Sequence, residues 1–262
     1  MLRSLWNSKT GLMAQQQKLD CISNNLANVN TVGYKRSDVN FQDLVYETLK
    51  RQGYPTSNTD PIQTGTGVKT SGWTKDRTGG SLLNTGNSTD LAIDGKGYFR
   101  VTLPNGDKAF TRAGDFIVDG AGDLVDKSGN KLDINLTNQG RQLLAQNGGF
   151  NQDNFVVSKD GTISLKFKGE GRTMPVGNID IYNAVGDNAF ISSGNNLYTL
   201  NPNANSYIEN DFSIEQGFLE NSNVDVGKEM TDMILTQRAF QLSSKGITTA
   251  DEMWSMVNNM RK

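Results

Sequence analysis

Both ends of the chain carry an apolar residue at every seventh position, and this repeat limits the possible folds more than any other feature. Leu5, Leu12, Leu19 and Leu26 recur at that interval, Ile22 and Val29 fill the later turns, and Leu2, Trp6 and Met13 widen the stripe. The spacing places these groups on one side of a helix of about 25 residues. Lys9, Gln16, Gln17, Lys18 and Asp20 take the other side. Gly11 costs such a helix about 1 kcal/mol, so packing must hold that turn. The Asn, Thr and Gly residues from Asn28 to Gly33 favour a turn and end it. Near the other terminus Val226, Met233, Phe240, Ile247 and Trp254 repeat the interval, joined by Met230 and Val257. Asn223 or Asp225 is placed to cap a second helix, expected from about Val226 to Met260, with Gly246 its weak point. Glu229 lies in its first turn, where a carboxylate suits the helix dipole. Gln237, Ser244 and Asp251 interrupt its apolar stripe, so alone it makes a marginal coiled coil. Two such helices have an obvious remedy: packing on each other and on copies of themselves.

Between the helices the period changes. Phe41, Leu44, Val45 and Leu49 share the side of a short amphipathic helix expected within residues 34 to 50. Gln52 to Gly67 reads as a polar, extended connector. From Val68 to about Glu215 the signals are those of strands: Leu91–Ile93, Tyr98–Val101, Lys108–Phe110, Phe116–Val118, Phe155–Val157, Ile163–Phe167, Ile179–Tyr182 and Leu197–Leu200. Turn pairs Asn105-Gly106, Asp119-Gly120 and Asp160-Gly161 separate them, as in antiparallel hairpins.

The composition narrows the chemistry. The chain has no histidine and a single cysteine, Cys21, which excludes His-containing triads, disulfide frameworks and four-thiolate zinc sites. Its 26 Lys and Arg nearly balance 28 Asp and Glu, without the basic face that a nucleic-acid binder needs. No run of 18 apolar residues and no secretory signal is present, which predicts a protein not embedded in a membrane, either soluble or exported by a route that does not read such a signal. The Asp-Gly pairs at 94, 119 and 160 lack the oxygen-ligand alternation of a calcium loop and read as turns. Gly65 and Gly67 lack the Lys-Ser/Thr of a phosphate loop. Glu170, Asp180, Glu209, Asp211 and Glu215 could supply a glycosidase pair only at a fixed separation of roughly 5–9 Å, which sequence does not show. Trp73, Tyr98, Phe99 and Phe110 read as core or interface groups rather than a carbohydrate surface, and Cys21 as a buried small hydrophobe. No cofactor and no metal is expected.

A long ordered stretch, Leu19-Asp20-Cys21-Ile22-Ser23-Asn24-Asn25-Leu26-Ala27-Asn28-Val29-Asn30-Thr31-Val32-Gly33-Tyr34-Lys35, closely resembles the N-terminal signature of the bacterial flagellar rod and hook protein family. Gly86-Asn87-Ser88-Thr89-Asp90-Leu91-Ala92-Ile93, then Gly95-Lys96-Gly97-Tyr98-Phe99, and Phe110-Thr111-Arg112-Ala113-Gly114-Asp115-Phe116 resemble its central segments. Gln216-Gly217-Phe218-Leu219-Glu220-Asn221-Ser222-Asn223-Val224-Asp225-Val226, with Glu229-Met230 and Gln237-Arg238-Ala239-Phe240, resembles its C-terminal signature. The opening Leu5-Trp6 through Thr10-Gly11-Leu12 and the stretch Tyr46 to Gly67 look most like subunits of the distal rod, with proximal rod subunits as the alternative. Cys21 departs from the aliphatic residue usual at its place.

The resemblance implies a flagellar rod subunit, polymerised helically with copies of itself into a hollow drive shaft that transmits torque from motor to hook. Its terminal helices would form the inner tube, and the β-rich domain would lie outside. It implies a place in the extracytoplasmic basal body, export without a cleaved signal peptide, and no enzymatic activity. Expected partners are neighbouring rod and hook proteins, the bushing rings and the flagellar type III export apparatus. The expected fold is mixed: residues 1–30 and 224–262 form an α-helical coiled-coil domain, residues 31–67 a short helix and connector, and residues 68–223 an inserted antiparallel β-rich domain. The expected assembly interface is Leu5, Leu12, Leu19, Ile22, Leu26 and Val29 with Met233, Phe240, Ile247 and Trp254. A monomeric β-rich binding module and a cell-wall-acting enzyme are the rival readings.

Overall fold

The computed structural model describes residues 2–48, 63–166, 173–186 and 189–260. Its helices are α1 (Leu2–Ala27), α2 (Asn138–Asn147) and α3 (Val226–Asn259), and antiparallel strands make up most of the chain between α1 and α3. The chain divides into two compact units: residues 1–27, 37–76 and 225–262 form one, and residues 28–36 and 77–224 the other.

In the first unit α1 and α3 lie side by side and antiparallel. A Cβ built on Gly11 would meet Ser243 Oγ at 3.5 Å, one built on Gly246 would meet Ser8 Oγ at 2.7 Å, and Asn25 Nδ2 donates to Glu229 Oε2 at 3.1 Å. These pairs share one register, in which each step forward along α1 is matched by an equal step back along α3. The facing groups at these points are small: Ser8 and Gly11 on α1 meet Gly246 and Ser243 on α3. Small residues let two helix axes approach closely, and close approach keeps Gly11 and Gly246 helical despite their propensity cost. Asp225 caps α3 by accepting from the Lys228 amide at 3.2 Å.

The amphipathic helix expected over residues 34–50 is not formed. The strand Ser37–Asp43 pairs with Val68–Lys75, and Tyr46–Thr48 with Gln63–Gly65, as one antiparallel ribbon. The register shifts by a bulge at Asn40/Phe41. The extra residue is Ser71, on the partner strand, and Leu44 and Val45 lie beyond the end of the strand at Asp43. Leu49, and the expected connector from Gln52 as far as Pro61 and Ile62, lie outside the described residues.

The second unit is built on a nine-stranded sheet. Its central strand Tyr98–Thr102 pairs with Lys108–Thr111, Lys131–Leu132 and Ile181–Ala184. Strand alternation sends Phe99 and Val101 to one face, where they join Leu91, Phe116, Ile163 and Ile181 in the main core. Tyr98 goes to the other face, into a cluster with Phe110, Tyr182 and Tyr198. The Arg100 guanidinium stacks 4.2 Å from the Tyr182 ring centre. Expected hairpins occur at Asn105-Gly106 and Asp160-Gly161, where both glycines have positive φ. In the third hairpin the left-handed residue is Gly122 rather than Gly120. The strand expected at Ile179–Tyr182 begins only at Ile181 and runs to Ala184, and Ile179 and Asp180 connect it to the strand Thr173–Asn178.

Candidate assembly surface

Large apolar side chains on α3 point mostly away from the seam. Met230, Ile234, Leu235, Leu242, Met253, Met256, Val257 and Met260 are exposed, Leu242 to 69%. On α1 Trp6 and Met13 are exposed as well, with the Lys9 ammonium 5.2 Å from the Trp6 ring. Exposed patches of this kind mark contact sites. An amphipathic helix that needed only its own partner would bury these groups and expose the small ones. Here the small groups face inward, so one chain leaves its largest apolar surface uncovered. No helix among the described residues is long and apolar enough to cross a membrane.

Of the ten residues expected at the interface, Ile22 is buried in the first unit. Leu5, Leu12, Leu19, Leu26, Met233, Phe240 and Ile247 are half-buried, and Trp254 is 45% exposed. Val29, also half-buried, follows the end of α1 in the segment that belongs to the second unit. The outward residues Ile234, Leu235 and Leu242 fall on other helical positions than Met233, Phe240 and Ile247.

Two buried polar clusters organise the family-like segments. In the first unit Asn25 is 1% exposed and Glu229 fully buried. The Asn25 amide donates to the Ser37 carbonyl at 2.8 Å and accepts from the Ser37 N–H at 2.9 Å, as a strand partner would. The Cys21 thiol donates to the same carbonyl at 3.2 Å. In the second unit Glu220 accepts from Lys35 Nζ at 2.6 Å, from the Gly80 amide at 2.8 Å and from Arg112 Nε. Arg112 also donates to the carbonyls of Ile93, Gly95 and Gly97, and Lys35 to that of Thr78. Burial pushes the Glu220 carboxyl up, but the charges of Arg112 and Lys35 outweigh it and hold the group below the usual carboxylate range. Gly33 lies at φ +68°, and a Cβ there would meet the Ala113 amide nitrogen at 2.6 Å. Only glycine fits that crossing.

Three of the acidic residues considered for catalysis have separate partners. Asp180 accepts from Asn135 and Asn178, Glu209 from Asn183 at 2.9 Å, and Glu215 from Lys159 at 2.6 Å. These hydrogen bonds hold Glu209 and Glu215 below the usual range. Glu170 lies outside the described residues. Tyr98, Phe99 and Phe110 are buried, while Trp73 is exposed on the ribbon of the first unit.

Three family models match the chain: "Flagella basal body rod protein" over residues 5–35, "Flagellar hook protein FlgE/F/G D1 domain" over residues 92–165, and "Flagellar basal body rod FlgEFG protein C-terminal" over residues 215–260. The chain is 39% identical to the flagellar basal-body rod protein FlgG of Buchnera aphidicola from Acyrthosiphon pisum, over 99% of this chain and 100% of that one. It is 37% identical to the FlgG of Bacillus subtilis and 34% identical to that of Borreliella burgdorferi, in each case over the full length of both chains. The chain belongs to the flagellar basal-body rod protein family.

Proposed function

We propose that the protein is a subunit of the distal flagellar rod and works mechanically, as one element of a helical polymer that carries torque from motor to hook. The outward-facing apolar row of α3 carries this reading: Ile234, Leu235 and Leu242 lie opposite a small-residue seam that already holds α1. A contact of this row with a different surface of the next copy is heterologous, and when repeated with an axial rise it builds an open filament. In the filament α1 and α3 act as a coiled coil, with Leu12, Leu19, Phe240 and Ile247 shared between copies. Full burial of each large apolar side chain contributes about 1.5–3 kcal/mol, so a few per subunit outweigh the cost of ordering helix ends.

Membership of the family supports a place in the extracytoplasmic basal body among other rod and hook proteins. The resemblance of Tyr46 to Gly67 to distal subunits favours the distal over the proximal rod. Delivery by the flagellar type III export apparatus and contact with bushing rings belong to the same reading, as does the absence of enzymatic activity. Complementation tests it. In a strain lacking its distal rod subunit, the protein should restore rods of normal length, and a labelled copy should occupy the hook-proximal part. Label confined to the motor-proximal part would move the protein to the proximal rod.

A further inference from the structure

A stripe repeated every seven residues overlays itself after a shift of seven, so apolar packing alone does not choose among registers of α1 on α3. One slip would place Gly11 opposite Ala250, and the reverse slip would place it opposite Thr236, with Leu and Met side chains still meeting apolar neighbours. The structure holds Gly11 opposite Ser243. Something other than the stripe must set that choice.

We infer that the buried Asn25–Glu229 pair is the register pin of the helix pair. On α1 and α3 the buried polar side chains among the described residues are Asn25, Glu229 and Thr236. The Thr236 hydroxyl donates to the Asp232 carbonyl of its own helix at 2.6 Å and is satisfied in any register. The Asn25–Glu229 hydrogen bond instead crosses the seam and is made only when these two positions face each other. Slipping by seven residues in one direction faces Asn25 with Thr236. Slipping in the other carries it past the start of α3. Either slip leaves a buried amide and a buried carboxylate without each other, which is costly. A single buried polar position is a general means of fixing register at some expense in stability.

The same amide fixes a third element. Asn25 holds both backbone groups of Ser37, the first residue of the strand Ser37–Asp43, so its place on α1 sets where the ribbon begins relative to α3. Gly246 lies against Ser8 in the same register, where an added Cβ would meet the Ser8 hydroxyl at 2.7 Å. The inference concerns the fold of one chain and does not depend on how copies assemble.

Disulfide trapping on the full-length chain tests it, in a Cys21→Ser background at a concentration where the protein is monomeric. Gly11→Cys is combined with Ser243→Cys for the observed register, and with Thr236→Cys or Ala250→Cys for the two slips. With Asn25 and Glu229 in place, only the 11–243 bond should form, running at monomer mass on a non-reducing gel. Replacing the pair with Asn25→Leu and Glu229→Leu, or Glu229 alone with Met, should raise a slipped product to at least a tenth of the total while circular dichroism keeps its helical signal. Glu229→Gln preserves a hydrogen-bonding partner for Asn25 and should restore the single product. Exclusive 11–243 bonding in the apolar variants would overturn the inference. So would loss of helical signal in Glu229→Met, because the pair would then supply stability rather than register.

Discussion

Glu220 is the carboxylate on which the second unit depends most. Its side chain and those of Lys35 and Arg112 are 2–3% exposed, so each charge relies on the others rather than on water. Glu220→Gln keeps the shape and removes the charge, so the buried Lys35 ammonium and Arg112 guanidinium lose the carboxylate that bridges them. Removing one partner of a buried ion pair costs about 3–5 kcal/mol, a large share of the roughly 5–15 kcal/mol that holds a domain folded. Lys35→Met is the contrasting change. It leaves Arg112 and Glu220 paired and strips a donor from the Thr78 carbonyl, at a cost of about 1–3 kcal/mol.

Urea unfolding followed by tyrosine fluorescence reads both variants. With a slope of about 2 kcal/mol per molar urea, Glu220→Gln should lower the midpoint by roughly 2 M and Lys35→Met by about half that or less. Acidity provides a second readout. The folded Glu220 carboxyl titrates below its unfolded value. Its contribution is therefore complete above about pH 4.3 and falls away as pH drops through the lower folded value. That part of the acid sensitivity should be missing from Glu220→Gln. A Lys35→Met variant as unstable as Glu220→Gln, or a Glu220→Gln variant within 1 kcal/mol of the parent, would refute the reasoning.

Three further outcomes follow from single positions. Leu242→Lys, at a side chain 69% exposed in one chain, should leave the monomer's melting temperature unchanged. Losing about 1–2 kcal/mol per subunit contact should raise the concentration needed for assembly about five- to thirtyfold by sedimentation. Gly33→Ala forces a Cβ against the Ala113 amide at φ +68° and should destabilise the second unit by more than 1 kcal/mol in thermal unfolding. Asp225→Ala removes the cap of α3 and should cost about 1 kcal/mol, seen as reduced helical signal at intermediate urea.

The two long helices were legible because a periodic pattern sustained over 26 and 34 residues dominates any local propensity. Asp225 was legible as a cap because capping is local. The ribbon strands Ser37–Asp43 and Val68–Lys75 were not, since Asp38, Asn40 and Asp43 are poor strand formers and Phe41, Leu44 and Val45 happen to fall at helical spacing. Glu229 was visible only as a first-turn carboxylate. Its partner Asn25 is 204 positions away, a separation that no periodicity reports. Lys35, Arg112 and Glu220 each lie in a different family-like segment, and only folding brings the three charges together. The outward row on α3 was missed because a heptad count groups residues by spacing and not by the size of the group facing the partner helix.

Electron microscopy of the purified full-length protein, followed by helical reconstruction of what assembles as concentration rises, tests the central claim most directly. The account predicts straight, hollow filaments of uniform width, with Leu235 and Leu242 buried against a neighbouring copy and with no filaments from the Leu235→Lys/Leu242→Lys double variant. Filaments in which this row stays in solvent, or a double variant that polymerises like the parent, would contradict it.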